Sequence, residues 1–157
     1  MCIETDLRLH LWKDAQKLHE AVTEFLPYAD FVKVTDDELE FITGLNDEKE
    51  GIKALLRYAA RAKLIFVTRG GNGSAVYDRE ANSADYAAYP ADVVDTTGAG
   101  DCFIGSIIWH LLKGEAELTV RGTEKAMNFA VRACACVISK KGGAPSMPSR
   151  EEVEKLK

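Results

Sequence analysis

Asp95-Thr96-Thr97-Gly98-Ala99-Gly100-Asp101 stands between a strand-like stretch, Asp92-Val93-Val94, and the most apolar helical pattern in the chain. That pattern begins at Ala99 and places Phe103, Ile104, Ile107, Ile108, Leu111 and Leu112 on a broad buried face, with Gly114 closing it. Three small residues at a helix entrance leave backbone N–H groups uncovered, and the helix dipole adds partial positive charge at the same point. The junction therefore reads as an anion site. Asp101 falls in the first helical turn beside it, where a carboxylate stays ionised and can take a proton from an attacking hydroxyl. A base next to an anion hole is what phosphoryl transfer requires, because positioning and charge stabilisation supply most of that catalysis. The plainer alternative is a strand-to-helix turn in which Asp95 and Asp101 only cap.

Outward from this junction the apolar period alternates between helix and strand. Lys13 to Phe25 carries a helical stripe of Ala15, Leu18, Val22 and Phe25 that ends near Pro27. Residues 29–34 read as a short strand. Thr35 followed by Glu38 is a capping-box pattern, so a helix is expected from Asp36 to Gly44, and Asp47 and Glu48 open another through Arg61. Leu64-Ile65-Phe66-Val67-Thr68 is a continuous apolar run of strand length, the mark of a strand covered on both faces, and it ends in the turn Gly70-Gly71-Asn72-Gly73. Ser74 to Tyr77 and Tyr86 to Tyr89 are expected as strands, Thr119 to Ile138 as a helix, and a short charged helix is expected from Arg150. Cys2-Ile3-Glu4 is a possible strand fragment. Strands alternating with helices imply an α/β layered fold with a largely parallel sheet, here as a single domain over residues 1–157.

Composition narrows the function classes. Forty-six per cent apolar residues in 157 suffice for a core that hides roughly 68–70% of the unfolded surface. The longest nearly apolar stretch, Ile104 to Leu112, is far shorter than the ~20 residues of a bilayer span. The first residues lack the basic and apolar regions of a signal peptide, so a cytoplasmic location and reduced cysteines are expected. Net charge is −5 overall, but residues 1–50 carry 13 acids against 5 bases, so the later part is the better host for an anion. No basic run with interleaved aromatics occurs, so neither nucleic acid nor membrane is an expected partner.

The seven residues 95–101 resemble the D-T-x-G-A-G-D signature of the ribokinase-like (pfkB) carbohydrate kinases. Further segments resemble that family in the expected order, and most closely its fructokinases. Residues 31–44 are similar to the strand and N-x-x-E region, Val67 to Ser74 to the T-x-G-x-x-G nucleotide loop, and Gly142 to Pro148 to the loop after the last long helix. Leu7-Arg8 with Leu11-Trp12 resembles the D-P-N-x-R and L-W segment, although Glu4-Thr5-Asp6 replaces Asp-Pro-Asn and Thr35 replaces Asn. The resemblance implies a three-layer α/β/α fold in which Asp101 is the general base and Gly98, Ala99 and Gly100 form the anion hole. It implies that Thr68, Gly70 and Gly73 approach ATP and that Glu38 organises Mg²⁺ through water. A K⁺ site would draw on Asp95, Thr97, Val137, Gly142 and Ser146, chiefly through carbonyl oxygens.

The likeness covers almost all of this chain but only the C-terminal, nucleotide-binding half of the family's fold. The family's sugar-binding residues, glycine-rich first signature and lid strands have no counterpart here. The chain is thus expected to be the ATP/Mg²⁺-binding half of a sugar kinase, phosphorylating a small sugar such as fructose to fructose 6-phosphate, and inactive or nearly so alone. Two alternatives stand beside this: a non-catalytic nucleotide- or anion-binding module, and a fragment whose exposed sheet edge pairs with another chain. Cys134 and Cys136 point about 200° apart on a helix and cannot share one metal. Cys102, His10, His19 and His110 read as packing or surface residues, Trp12 and Trp109 as core or interface anchors. Lys140 and Lys141 read equally as phosphate ligands or as a solvated loop.

Overall fold

The computed structural model describes residues 1–156, which divide into two compact units. The first comprises Met1–Arg69 and Ala75–Ala84, the second Gly70–Ser74 and the chain from Asp85 onward.

The sheet is built from β1 (Cys2–Glu4), β2 (Phe31–Thr35), β3 (Leu64–Thr68), β4 (Ser74–Asp78) and β5 (Ser83–Tyr86), in the order β1-β2-β3-β4-β5. β1 runs parallel to β2 and β2 parallel to β3, with Phe31 opposite Leu64 and Thr35 opposite Thr68. Parallel neighbours need crossovers, and the helices supply them: α1 (Ala15–Phe25) between β1 and β2, then α2 (Asp36–Thr43) and α3 (Glu48–Tyr58) between β2 and β3. Phe31 to Val34 and Leu64 to Val67 are all buried, so successive side chains on both faces are covered, as their unbroken apolar runs imply. One face packs Val32, Val34, Ile65 and Val67 against Leu39, Ile42, Ile52 and Leu55 of α2 and α3. Each fully buried aliphatic side chain there is worth ~1.5–3 kcal/mol of transfer free energy.

Local chemistry sets the helix ends in this unit. The Asp14 carboxylate accepts from the Gln16 amide to cap α1. Thr35 and Glu38 form the anticipated capping box of α2, and Gly44 ends it. Asp47 caps α3, which stops at Tyr58 and not at Arg61. The reason is tertiary: the Ala59 backbone leaves helical geometry, and the Arg79 guanidinium takes the Ala62 carbonyl at 3.0 Å.

The second unit holds α4 (Ala99–Leu112), α5 (Glu124–Ile138) and α6 (Arg150–Lys155). Cys102 of α4, Ala133 and Val137 of α5 and Val153 of α6 make one buried cluster, and the Trp109 and Phe129 rings stack at 6.2 Å. His110 is buried with Nδ1 at 2.9 Å from the Ser106 carbonyl, a packing role as its isolation in sequence suggests.

Three further expected elements differ. The strand sought at 86–89 is found at Ser83–Tyr86. Asp92 to Val94 is not a strand, because its backbone pairs with a helix end: the Val94 and Asp95 amides donate to the Ile138 carbonyl at 2.7 and 3.2 Å. Helix α5 begins five residues later than expected, since Thr119 and Thr123 spend their hydroxyls on local backbone, Gly122 N donating to Thr119 Oγ1 at 2.9 Å and Thr123 Oγ1 to the Val120 carbonyl at 3.0 Å. Trp12 is 44% exposed and so is no core anchor. Among the described residues no helix is long and apolar enough to cross a membrane.

Candidate active site

The N-termini of α1, α2, α3 and α6 are closed by the side chains of Asp14, Thr35, Asp47 and Ser149. Helix α4 is not. Its N-cap is Gly98, in left-handed conformation at φ +83°, with no side chain to turn back onto the amides. A Cβ at Gly98 would also stand 3.1 Å from Met147 Cε and 3.4 Å from Gly143 Cα, so conformation and close approach both call for glycine.

The first helical bond of α4 runs from Cys102 N to Gly98 O at 2.9 Å, and Ala99 N donates to Thr96 O at 3.2 Å. The amides of Gly98, Gly100 and Asp101 have no acceptor among the described residues. Of the three residues expected as the anion hole, Gly98 and Gly100 thus offer free N–H groups, whereas Ala99 already has a partner. Asp101, acidic and in the first turn, is exposed and forms no hydrogen bond or ion pair among the described residues. Open donors at the positive end of a helix next to a solvated carboxylate can hold an anion and remove a proton beside it.

Asp95 fixes the loop before this helix. Its Oδ1 accepts from Thr97 N at 2.9 Å and its Oδ2 from Gly142 N at 3.0 Å. Hydrogen bonds from the Thr97 hydroxyl and amide and from the Gly142 amide hold its carboxyl down at about 2. One side chain thereby joins the 95–98 loop to the 142–147 loop. Within the latter, Ser146 is buried and bonds the Gly143 carbonyl through both N (3.0 Å) and Oγ (2.7 Å). Of the residues expected around K⁺, Asp95, Thr97 and Gly142 are directly linked, and Ser146 lies in the same loop. Val137 is buried, and its carbonyl already accepts from the Ser139 and Lys140 amides. Lys140 pairs with Glu152 at 3.1 Å.

In the first unit, Thr35 and Thr68 sit opposite each other at the carboxyl ends of the parallel strands β2 and β3, where open α/β sheets bind ligands. Glu38, at the start of α2, accepts from Thr35 N at 2.7 Å and Thr5 Oγ1 at 2.8 Å on Oε2, and from Leu7 N at 3.3 Å on Oε1. Oε1, with that one long hydrogen bond, retains a lone pair as acceptor. No group of three or more His, Cys, Asp or Glu side chains among the described residues could enclose a metal. That is the situation Mg²⁺ tolerates, since it usually keeps several waters and takes one or two carboxylates plus phosphate oxygens.

Gly70 and Gly73 flank a single 3₁₀ turn, closed by Gly73 N to Gly70 O at 3.2 Å. Gly73 has φ +90°, and a Cβ there would fall 2.3 Å from the Tyr86 carbonyl oxygen.

Two features were not foreseen from sequence. Arg69, in the turn after β3, donates from Nε and Nη2 to Glu48, both at 2.6 Å, and the Tyr77 hydroxyl joins the same carboxylate. The Arg69 guanidinium holds the Glu48 carboxyl below its ordinary range against the effect of burial. Second, a cleft of about 300 Å³ opens beside Asp101, lined by Gly105 and Trp109 of α4, Phe129, Met147 and Arg150. Arg150 lies over the Trp109 ring at 5.0 Å. The only sequence trace of the cleft is the spacing of Asp101, Gly105 and Trp109 along one helix face.

Comparison with known proteins bears on the family and the fold. Fructokinase-1 of Oryza sativa subsp. japonica is 34% identical over 154 residues, which is 98% of this chain and 47% of the relative. Probable fructokinase-4 of Arabidopsis thaliana is 32% identical over 98% of the chain and 47% of its own length. The chain therefore spans about half the length of the curated relatives it matches. The crystal structure of fructokinase from Vibrio cholerae O395 in fructose-, ADP- and calcium-bound form superposes with a TM-score of 0.87 at 26% identity, covering 98% of this chain and 49% of that one. The ribokinase of Arabidopsis thaliana, solved with ribose and ATP, gives 0.73 at 27% identity over 90% of this chain and 50% of that one. The fold is thus the ribokinase-like α/β class. The family model for pfkB family carbohydrate kinases matches residues 3–150, and the chain belongs to that family.

Proposed function

We propose that this chain is the nucleotide-binding and base-bearing portion of an ATP-dependent sugar kinase, with the phosphorylation of fructose to fructose 6-phosphate as the favoured reaction. The observation that carries the reading is the uncapped start of α4, where the free amides of Gly98 and Gly100 adjoin the solvated carboxylate of Asp101. The identity to plant fructokinases supports the acceptor class.

In this reading the γ-phosphoryl group of ATP lies against the amides of Gly98 and Gly100, which stabilise negative charge on its oxygens. Asp101 accepts the proton of the sugar hydroxyl while that oxygen bonds to phosphorus and the bond to the ADP oxygen breaks. Thr68, Gly70 and Gly73 approach the nucleotide. Glu38 would hold Mg²⁺ through a water on Oε1, and the bound ion would neutralise phosphate charge. Asp95, Thr97, Gly142 and Ser146 would frame a K⁺ site, with Val137 the weakest member because its carbonyl is already paired.

The acceptor pocket belongs, by the family resemblance, to the half of the relatives that this chain does not match. Positioning of the reactants can be worth ~7–11 kcal/mol, so the chain alone is expected to bind ATP and to transfer little phosphate. Calorimetry with ATP and Mg²⁺ tests the first part. Fructose phosphorylation after adding the complementary half of a relative tests the second, and activity that survives Asp101→Asn unchanged would refute the assignment of the base.

A further inference from the structure

The thiols of α4 and α5 take no part in the chemistry above. Cys102 directly follows Asp101, and its amide closes the first helical bond onto Gly98. Its side chain is 8% exposed and lines the cleft beside Asp101 and Gly105. Cys134, half-buried on α5, donates its thiol to the Ala99 carbonyl at 3.3 Å, one helical turn before Cys102, and its hydrogen-bonding influence lowers the Cys102 thiol from its ordinary value. Two reduced thiols from different helices therefore stand at the first turn of α4. Cys136, two residues further along α5, points away from Cys134 but packs against the cluster that holds Cys102, so it is the competing partner.

We propose that Cys102 and Cys134 are a reversible modification site, which a small hydroperoxide converts to a disulfide that weakens the phosphate cradle. Cys102, facing the cleft, gives up its proton and its sulfur attacks one oxygen of hydrogen peroxide. The O–O bond breaks, hydroxide leaves as water with that proton, and a sulfenic acid remains. The Cys134 sulfur displaces the sulfenic hydroxyl, which departs with the second thiol proton as a second water, and the S–S bond forms. Peroxide gains the two electrons that the sulfurs lose.

The coupling follows from distance. A disulfide sulfur pair is about 2.05 Å apart, closer than any hydrogen-bonded pair, so oxidation draws α5 toward the first turn of α4. The Ala99 carbonyl loses its thiol donor in the same step. The free amides of Gly98 and Gly100 flank that residue, so their aim changes. The crosslink does not depend on what the cradle binds, whereas its effect on phosphate rests on the proposed function.

The test treats the 157-residue chain with hydrogen peroxide, alkylates it, digests it and weighs the peptides. We expect loss of the mass of two hydrogens, a Cys102–Cys134 linked peptide as the main product, and reversal by dithiothreitol. Cys134→Ser abolishes the link and Cys136→Ser leaves it. Sulfinic or sulfonic acid at Cys102 with no link, or links to Cys2 or Cys136, overturns the proposal. Calorimetry with ATP and Mg²⁺ then compares the reduced and oxidised chains. Roughly tenfold weaker binding after oxidation is expected, regained with dithiothreitol, and equal affinity overturns the coupling. If the reduced chain binds no ATP, the proposed function and the coupling both fail, and the mapped crosslink still decides the thiol pair.

Discussion

Replacing Gly73 by alanine tests the geometry of the nucleotide loop, and Gly71 provides its own control two residues away. At Gly73 the backbone sits at φ +90°, where an L side chain costs ~1–2 kcal/mol. The new Cβ would lie 2.3 Å from the Tyr86 carbonyl oxygen and 3.1 Å from Ala87 Cα. Both are backbone atoms, so no rotamer change relieves the clash and the chain itself must move. A backbone shift of that kind adds ~1–3 kcal/mol, for a total of ~2–5 kcal/mol. At Gly71 nothing lies within 4 Å of the added methyl, and no positive φ is required. Gly71→Ala should be neutral or stabilising by ~0.4–1 kcal/mol through the unfolded chain. Thermal unfolding separates the two variants, because ~1 kcal/mol moves Tm by about 2–4 °C in a chain of this size. Gly73→Ala is expected to melt ~4–20 °C below the parent, and Gly71→Ala within ~4 °C of it. Equal melting temperatures for the two variants would refute the claim that tertiary contact, and not turn composition, makes Gly73 obligatory.

Three further outcomes are expected. Glu48→Gln removes a bidentate charge-assisted contact to Arg69 and should cost ~1–3 kcal/mol in urea denaturation. Because the folded Glu48 carboxyl is held below its unfolded value of 4.5, its contribution is complete above that pH and is lost as pH falls through the lower folded value, so the gap between parent and variant should narrow in acid. Asp95→Asn leaves the 95–98 and 142–147 loops without their ionised clamp, and hydrogen exchange at the Thr97 and Gly142 amides should accelerate; unchanged protection would show that the loops hold themselves. Asp101→Asn in the completed enzyme should lower the rate of fructose phosphorylation by ~10²–10⁴ while ATP affinity measured by calorimetry stays within a few-fold.

Much of the fold and part of the site can be read from local chemistry. The capping box of Thr35 and Glu38, the unbroken apolar run of Leu64 to Val67 and the helix opening at Ala99 each appear where sequence places them, because each depends on residues within one or two turns. The errors fall where a distant partner decides. Asp92 to Val94 has strand composition, yet the Val94 amide, with that of Asp95, is taken by the end of α5, more than forty residues later. Likewise α3 ends early because Arg79 arrives from beyond β4 to take the Ala59 and Ala62 carbonyls just past its end.

The site divides along the same line. Sequence alone determines that α4 starts on small residues with a carboxylate in its first turn, since those are properties of adjacent positions and of the helix dipole. Only tertiary structure decides that the Ala99 amide is already engaged, that Asp95 reaches across to Gly142, that Arg69 is committed to Glu48, and that the Cys134 thiol reaches the Ala99 carbonyl. Capping and periodicity are short-range energies written into neighbouring residues, whereas a hydrogen bond between two loops or two helices exists only once packing has brought its partners within about 3 Å.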